Sequence, residues 1–101
     1  MILIHTTCKN TEDAVKIGNQ ILSQKMASGV NIWPAQAMNY RDGQLHNALV
    51  AVLLIKTVET KLQAIEDLIN THHGGNSPFV GAIEVRRFNH AYKEVMAATI
   101  K

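Results

Sequence analysis

One cysteine and five histidines hold most of the chemical range of this 101-residue chain. Cys8 follows the apolar run "MILIHTT" and opens a polar cluster, "CKNTED", suited to starting a helix. A thiol between a strand and a helix can have its pKa lowered by the helix dipole and become a soft-metal ligand or a reactive group. Read more plainly, it is a small, partly buried apolar side chain, as free cysteines commonly are. His72 and His73 sit in "INTHHGGNSPFVGAIEV", ahead of Gly74 and Gly75. Cations followed by glycine are what the end of a helix asks for. The functional alternative assigns one imidazole to a metal or ligand. Adjacent helical residues point about 100° apart, so both rings could hold one ion only beyond the helix end. A phosphate loop is disfavoured, because these glycines lie at the negative end of the dipole and anions prefer the opposite end.

The remaining histidines read as structural: His5 hydrogen-bonded and partly buried on the first apolar run, His46 and His90 solvated at a hairpin and a helix entry. No Ser/His/Asp or Cys/His arrangement follows from spacing, and Glu84 has no evident acidic partner for acid-base work. The expectation is that the protein is not an enzyme. A lone cysteine excludes an internal disulfide and C-x-x-C metal motifs. The formal charge of +2, with Arg86 and Arg87 the only adjacent basic pair, argues against nucleic acid. No apolar run approaches the ~20 residues needed to cross a bilayer, and "MILI" lacks the plan of a secretory leader. A cytoplasmic protein without membrane partners is expected.

The elements that must position these residues follow from periodicity. A first strand is expected over about residues 2–7. Asn10 or Thr11 can cap a helix with Glu12 and Asp13 in its first turn and Ala14, Ile17, Ile21 and Leu22 at helical spacing, ending near Gly29. "VNIWPAQAMNY" reads as a second strand in which Pro34 marks an edge or a bulge. Asp42-Gly43 signals a tight hairpin, and "ALVAVLLIKT" is a return strand apolar enough for burial on both faces. Thr57 can cap a second helix with Leu62, Ile65, Leu68 and Ile69 as its stripe. "PFVGAIEV" supplies a fourth strand, and "NHAYKEVMAATI" a closing helix with Tyr92, Val95, Met96 and Ile100 inward. This order predicts one α+β domain over residues 1–101: a ferredoxin-like βαββαβ sandwich with an additional C-terminal helix.

"MILIHTTCKNTEDAVKIGNQILSQKMASGVNIWP", "NYRDGQLHNALVAVLLIKT" and "HGGNSPFVGAIEVRRFNHAY" together resemble the CutA-type divalent-ion tolerance family along essentially the whole chain. The resemblance rests on Thr6-Thr7-Cys8, on Val30-Asn31-Ile32 with Pro34, on Gly43, on Lys56-Thr57, and on His73 and Pro78. It implies a homotrimer, similar in architecture to PII-type regulatory trimers, associated with tolerance to copper and other divalent cations and without an established enzymatic activity. The chain departs from the family's usual His-Pro-Tyr-Glu after the second helix, reading His73, Gly74, Gly75 and Asn76. Its hairpin has Tyr40 and Arg41, then Leu49 and Val50, where the family carries more Tyr and Trp followed by Glu. Gly29 stands in a run that commonly contains a cysteine.

If a divalent ion such as copper or zinc is bound, Cys8 and His73 are the expected ligands, since thiolate and imidazole suit both ions. Two ligands predict a weak site that water or a neighbouring subunit must complete. The alternative expectation is a PII-like regulatory trimer whose altered cleft binds a small ligand.

Overall fold

Ile2, Ile4, Thr6 and Cys8 alternate with Leu3, His5 and Thr7. In the computed structural model of the chain, which describes residues 1–73 and 78–101, this run is strand β1, Ile2–Cys8, with the first set buried. The strand is one residue longer than expected and takes in Cys8. It lies inside a four-stranded antiparallel sheet of order β2-β3-β1-β4, with β2 at Gly29–Arg41, β3 at Gln44–Thr57 and β4 at Val80–Glu84. Helices α1, Thr11–Ser23, and α2, Leu62–His72, complete the βαββαβ order, and α3, His90–Thr99, follows it. This is the ferredoxin-like plan with the extra C-terminal helix.

The core lies between the sheet and the two main helices. Ile4, Leu53 and Ile55 from the sheet meet Ile17 and Ile21 of α1 and Ile65 and Ile69 of α2, all essentially inaccessible. Removing each such side chain from water contributes roughly 1.5–3 kcal/mol. Among the described residues, no helix is long and apolar enough to cross a membrane.

Helix α1 begins where expected, the Asn10 side chain accepting the Asp13 N–H at 2.8 Å. It ends earlier than the glycine signal implied, since Gly29 is already in β2. The stop is at Lys25, in the left-handed region at φ 57°, with the Met26 N–H bonded to the Ile21 carbonyl and the Lys25 N–H to the Leu22 carbonyl. This is the Schellman closure built on lysine in place of glycine. Thr57 does not cap the second helix either. It is the buried last residue of β3, its hydroxyl is committed to the Met26 carbonyl, and α2 is entered through a 3₁₀ turn, Glu59–Lys61. In α3, Met96 is buried and Tyr92 half-buried, whereas Val95 faces outward, against expectation, because Tyr92 and Met96 share a face one turn apart.

Asp42 and Gly43, at φ 55° and 74°, form the hairpin turn with both central residues left-handed, as a two-residue type I′ turn requires. Pro34 is accommodated because β2 is an edge strand. Burial of β3 on both faces holds for 51–53, is partial at Leu54 and fails for 48–50, since β1 ends at the pair Cys8 and Ala51 and the earlier part of β3 pairs with β2 alone. The hairpin runs past the sheet as a two-stranded ribbon and exposes Met38, Tyr40, Leu45 and Leu49.

Candidate functional site

The alternation of β1 carries Cys8 inward at the strand's end, opposite Ala51. The chain then turns through Lys9 and Asn10 into α1, whose i, i+3 and i+4 spacing sets Asp13, Lys16 and Ile17 above the thiol on one side of the helix. Lys9 reaches back to Asp13 at 3.7 Å. From the other direction α2 delivers its last residue, His72, and its C-cap, His73. The His72 Nε2 meets the Gln20 side-chain oxygen at 2.5 Å, which ties the two helices together. The His73 backbone N–H is shared between the Ile69 and Asn70 carbonyls, while its Nε2 is buried without a hydrogen-bond partner among the described residues.

These residues enclose a cavity of about 320 Å³ lined by Cys8, Lys9, Asp13, Lys16, Ile17, His72 and His73. A second, open cleft of about 690 Å³ shares Cys8, Lys9 and His73 and is lined as well by Asn39, Tyr40 and Arg41 of the hairpin ribbon and by Pro78 and Phe79 beside β4. The Phe79 ring folds over Gly81, where a Cβ would collide with it, and meets His5 edge-on at 6.2 Å between centroids. The Nδ1 of His5 is buried and has no hydrogen-bond partner among the described residues, where one was expected. His90 is exposed, 3.8 Å from Glu94, and His46 is half-buried across from Asn39, less solvated than expected.

The two expected ligands, Cys8 and His73, come together on one cavity wall. The thiol is not activated, however. Burial, with the Asp13 carboxylate adding to it, pushes Cys8 up to about 11 from its ordinary 9.0, so at neutral pH it is a protonated core side chain. Desolvation outweighs any lowering by the neighbouring helix. The alternative of a lowered thiol pKa therefore fails, and the plain reading of Cys8 as a buried, inert side chain is the one the packing supports. Among the described residues, no group of three or more His, Cys, Asp or Glu side chains is placed to hold a metal ion. The expected glycine stop at Gly74, and the Gly74, Gly75 and Asn76 departure, lie outside the described residues.

In the sequence Asp13 reads only as a first-turn acid and Arg41 only as a hairpin residue, and Lys9 and Lys16 are not singled out. Lys9, Asp13 and Lys16 had a signal in their spacing beside Cys8. The place of Arg41 beside Lys9 and His73 follows only from the tertiary packing of the hairpin.

Comparison with known proteins gives consistent matches. The family described as CutA1 divalent ion tolerance protein matches residues 2–99. The chain is 27% identical over 84 residues to the "Divalent-cation tolerance protein CutA" of Archaeoglobus fulgidus, covering 83% of this chain and 82% of that protein. The solved structure of the "Periplasmic divalent cation tolerance protein CutA" from the same organism superposes with a TM-score of 0.95 at 24% identity, over 100% of both chains. The crystal structure of CutA1 from Oryza sativa superposes with a TM-score of 0.94 at 27% identity, over 99% of this chain and 93% of that one.

Proposed function

The chain belongs to the CutA1 divalent ion tolerance protein family, and from that premise we propose that it is a non-enzymatic homotrimer that serves divalent-cation tolerance in the cytoplasm by binding copper or a similar ion weakly. The observation that carries the metal reading is that Cys8 and His73, remote in sequence, line the same cavity. A soft thiolate and an imidazole suit copper and zinc. A metal would have to displace the thiol proton, and two protein ligands leave a four-coordinate site half filled, so water or a neighbouring subunit completes it. Both features make the affinity low. The single free thiol suits a reducing compartment.

Support for assembly comes from the uncovered sheet face and the ribbon. Trp33, Phe79 and Ile83 are exposed on or beside that face, and Tyr40 on the ribbon is 80% exposed. Strand edges and apolar surface of this kind are a liability in a monomer, and pairing around a threefold axis removes it.

Equilibrium dialysis against copper and zinc tests the metal reading. Weak binding that is lost in the Cys8→Ser, His73→Ala double variant supports it. Tight binding that survives the double variant shows that other residues hold the ion.

A second reading is favoured by one observation, the presence of Lys9 and Lys16 on the lining of the first cavity and of Lys9 and Arg41 on that of the second. It makes the protein a PII-like trimer that binds a small ligand at this place. A screen of nucleotides and small metabolites beside the metal dialysis separates the two.

A further inference from the structure

Cys8, at the end of β1, and His73, at the C-cap of α2, line one cavity of about 320 Å³. The His73 Nε2 is buried and has no hydrogen-bond partner among the described residues. Asp13 and His72 share the lining, but neither completes a set with these two. Among the described residues, no group of three or more His, Cys, Asp or Glu side chains is placed to hold an ion. Asp13 is paired with Lys9, and the His72 Nε2 meets the Gln20 side-chain oxygen. The cavity therefore offers a metal one soft sulfur and one imidazole.

Coordination number sorts the ions that could use such a pair. Zinc takes four ligands, and copper(II) prefers a tetragonal set. Copper(I), a closed-shell ion, is stable with two, and thiolate is a donor that selects it. Charge sorts the ions in the same order. Lys9 and Asp13 offset one another, which leaves the Lys16 ammonium as the uncompensated charge of the lining among the described residues. When copper(I) enters, the sulfur–hydrogen bond of Cys8 breaks, a sulfur–copper bond forms and the proton leaves to solvent. One positive charge replaces another, so the charge of the cavity is unchanged. The buried sulfur never stands as a bare anion, the species that burial and Asp13 oppose. A divalent ion making the same exchange leaves one extra positive charge in a cavity that already carries Lys16.

We propose that this cavity is a site for monovalent copper, held by the Cys8 sulfur and the His73 imidazole alone, and not for a divalent ion. The inference rests on the metal reading of Cys8 and His73 and narrows it to one oxidation state. Copper in a reducing compartment, which the free thiol suits, is in that state.

The test is anaerobic titration of the whole chain with copper(I) against a competing copper(I) chelator, beside titration with zinc as the divalent comparator. One copper(I) per chain is expected, bound on the order of tenfold or more tightly than zinc. X-ray absorption should show one sulfur and one nitrogen next to the copper. Cys8→Ser and His73→Ala should each weaken copper(I) binding by about tenfold or more. His73→Ala, at a helix end, keeps the test decisive if the change at the buried Cys8 impairs folding. Lys16→Gln should strengthen zinc binding more than copper(I) binding, because only the zinc complex carries the extra charge. Zinc bound as tightly as copper(I), three or more ligand atoms around the copper, or equal gains for both ions in Lys16→Gln overturns the proposal and leaves the metal reading in place. Absence of binding of both ions, or binding undiminished in both ligand variants, overturns the metal reading as well.

Discussion

The Thr57 hydroxyl donates a 2.6 Å hydrogen bond to the Met26 carbonyl, both groups buried, and so joins the end of β3 to the turn that follows α1. Thr6, equally buried on β1, has a hydroxyl with no partner among the described residues. The same substitution should therefore act with opposite sign at the two positions. Thr57→Val strands the Met26 carbonyl and should cost about 1–3 kcal/mol, whereas Thr6→Val removes an unsatisfied hydroxyl at nearly constant shape and should be neutral or stabilising by up to about 1 kcal/mol. Urea unfolding midpoints of the two variants check this directly.

Two left-handed residues make a second pair of opposed outcomes. Lys25 holds φ 57° with a full side chain, and Lys25→Gly should stabilise the protein by about 0.5–1 kcal/mol by relieving that conformation. Gly43 holds φ 74° with nothing within 4 Å of where a Cβ would sit, so the cost of Gly43→Ala is one of backbone conformation, about 1 kcal/mol. Thermal melts of both variants against the parent supply the measurement.

The Cys8 thiol sets a pH limit on stability. Its pKa is raised from 9.0 to about 11 by burial and by Asp13, so between those values the folded chain keeps a proton that the unfolded chain has lost. The contribution is whole below pH 9 and is lost as pH rises from about 9 to about 11. Unfolding midpoints from pH 7 to 11 should fall more steeply for the parent than for Cys8→Ala. Iodoacetamide should alkylate the native thiol far more slowly at pH 8 than it alkylates the same thiol in urea.

Assembly has a built-in reporter. Trp33, the only tryptophan, is 41% exposed on the open face of the single chain. In a trimer closed through that face its emission should be blue-shifted and shielded from acrylamide. Ile83→Asp, which places a charge on the same face, should restore quenching and lower the mass seen by light scattering. A well-folded parent monomer at micromolar concentration would remove the trimer from the proposed function.

Local chemistry by itself determined a good part of this protein. The period-two run of β1, the Asn10 cap, the Asp42-Gly43 turn and the stripe of Ile65 and Ile69 each follow from neighbours a few residues apart, and their order alone gives the ferredoxin-like plan. The sequence also singled out Cys8 and His73. It could not show that Lys25 would stop α1, or that Thr57 would spend its hydroxyl on Met26, because both depend on how the end of α1 packs against β3. Nor could it give the state of Cys8, since a thiol's charge is governed by how much water the remote residues around it exclude. The meeting of Cys8 with Lys16 and His73 in one cavity, and of His73 with Arg41 in a second, was likewise decided only by tertiary structure. These residues come from the end of β1, α1, the end of α2 and the hairpin, and they are brought together by the packing of helices on the sheet and the pairing of remote strands, neither of which is encoded in local spacing.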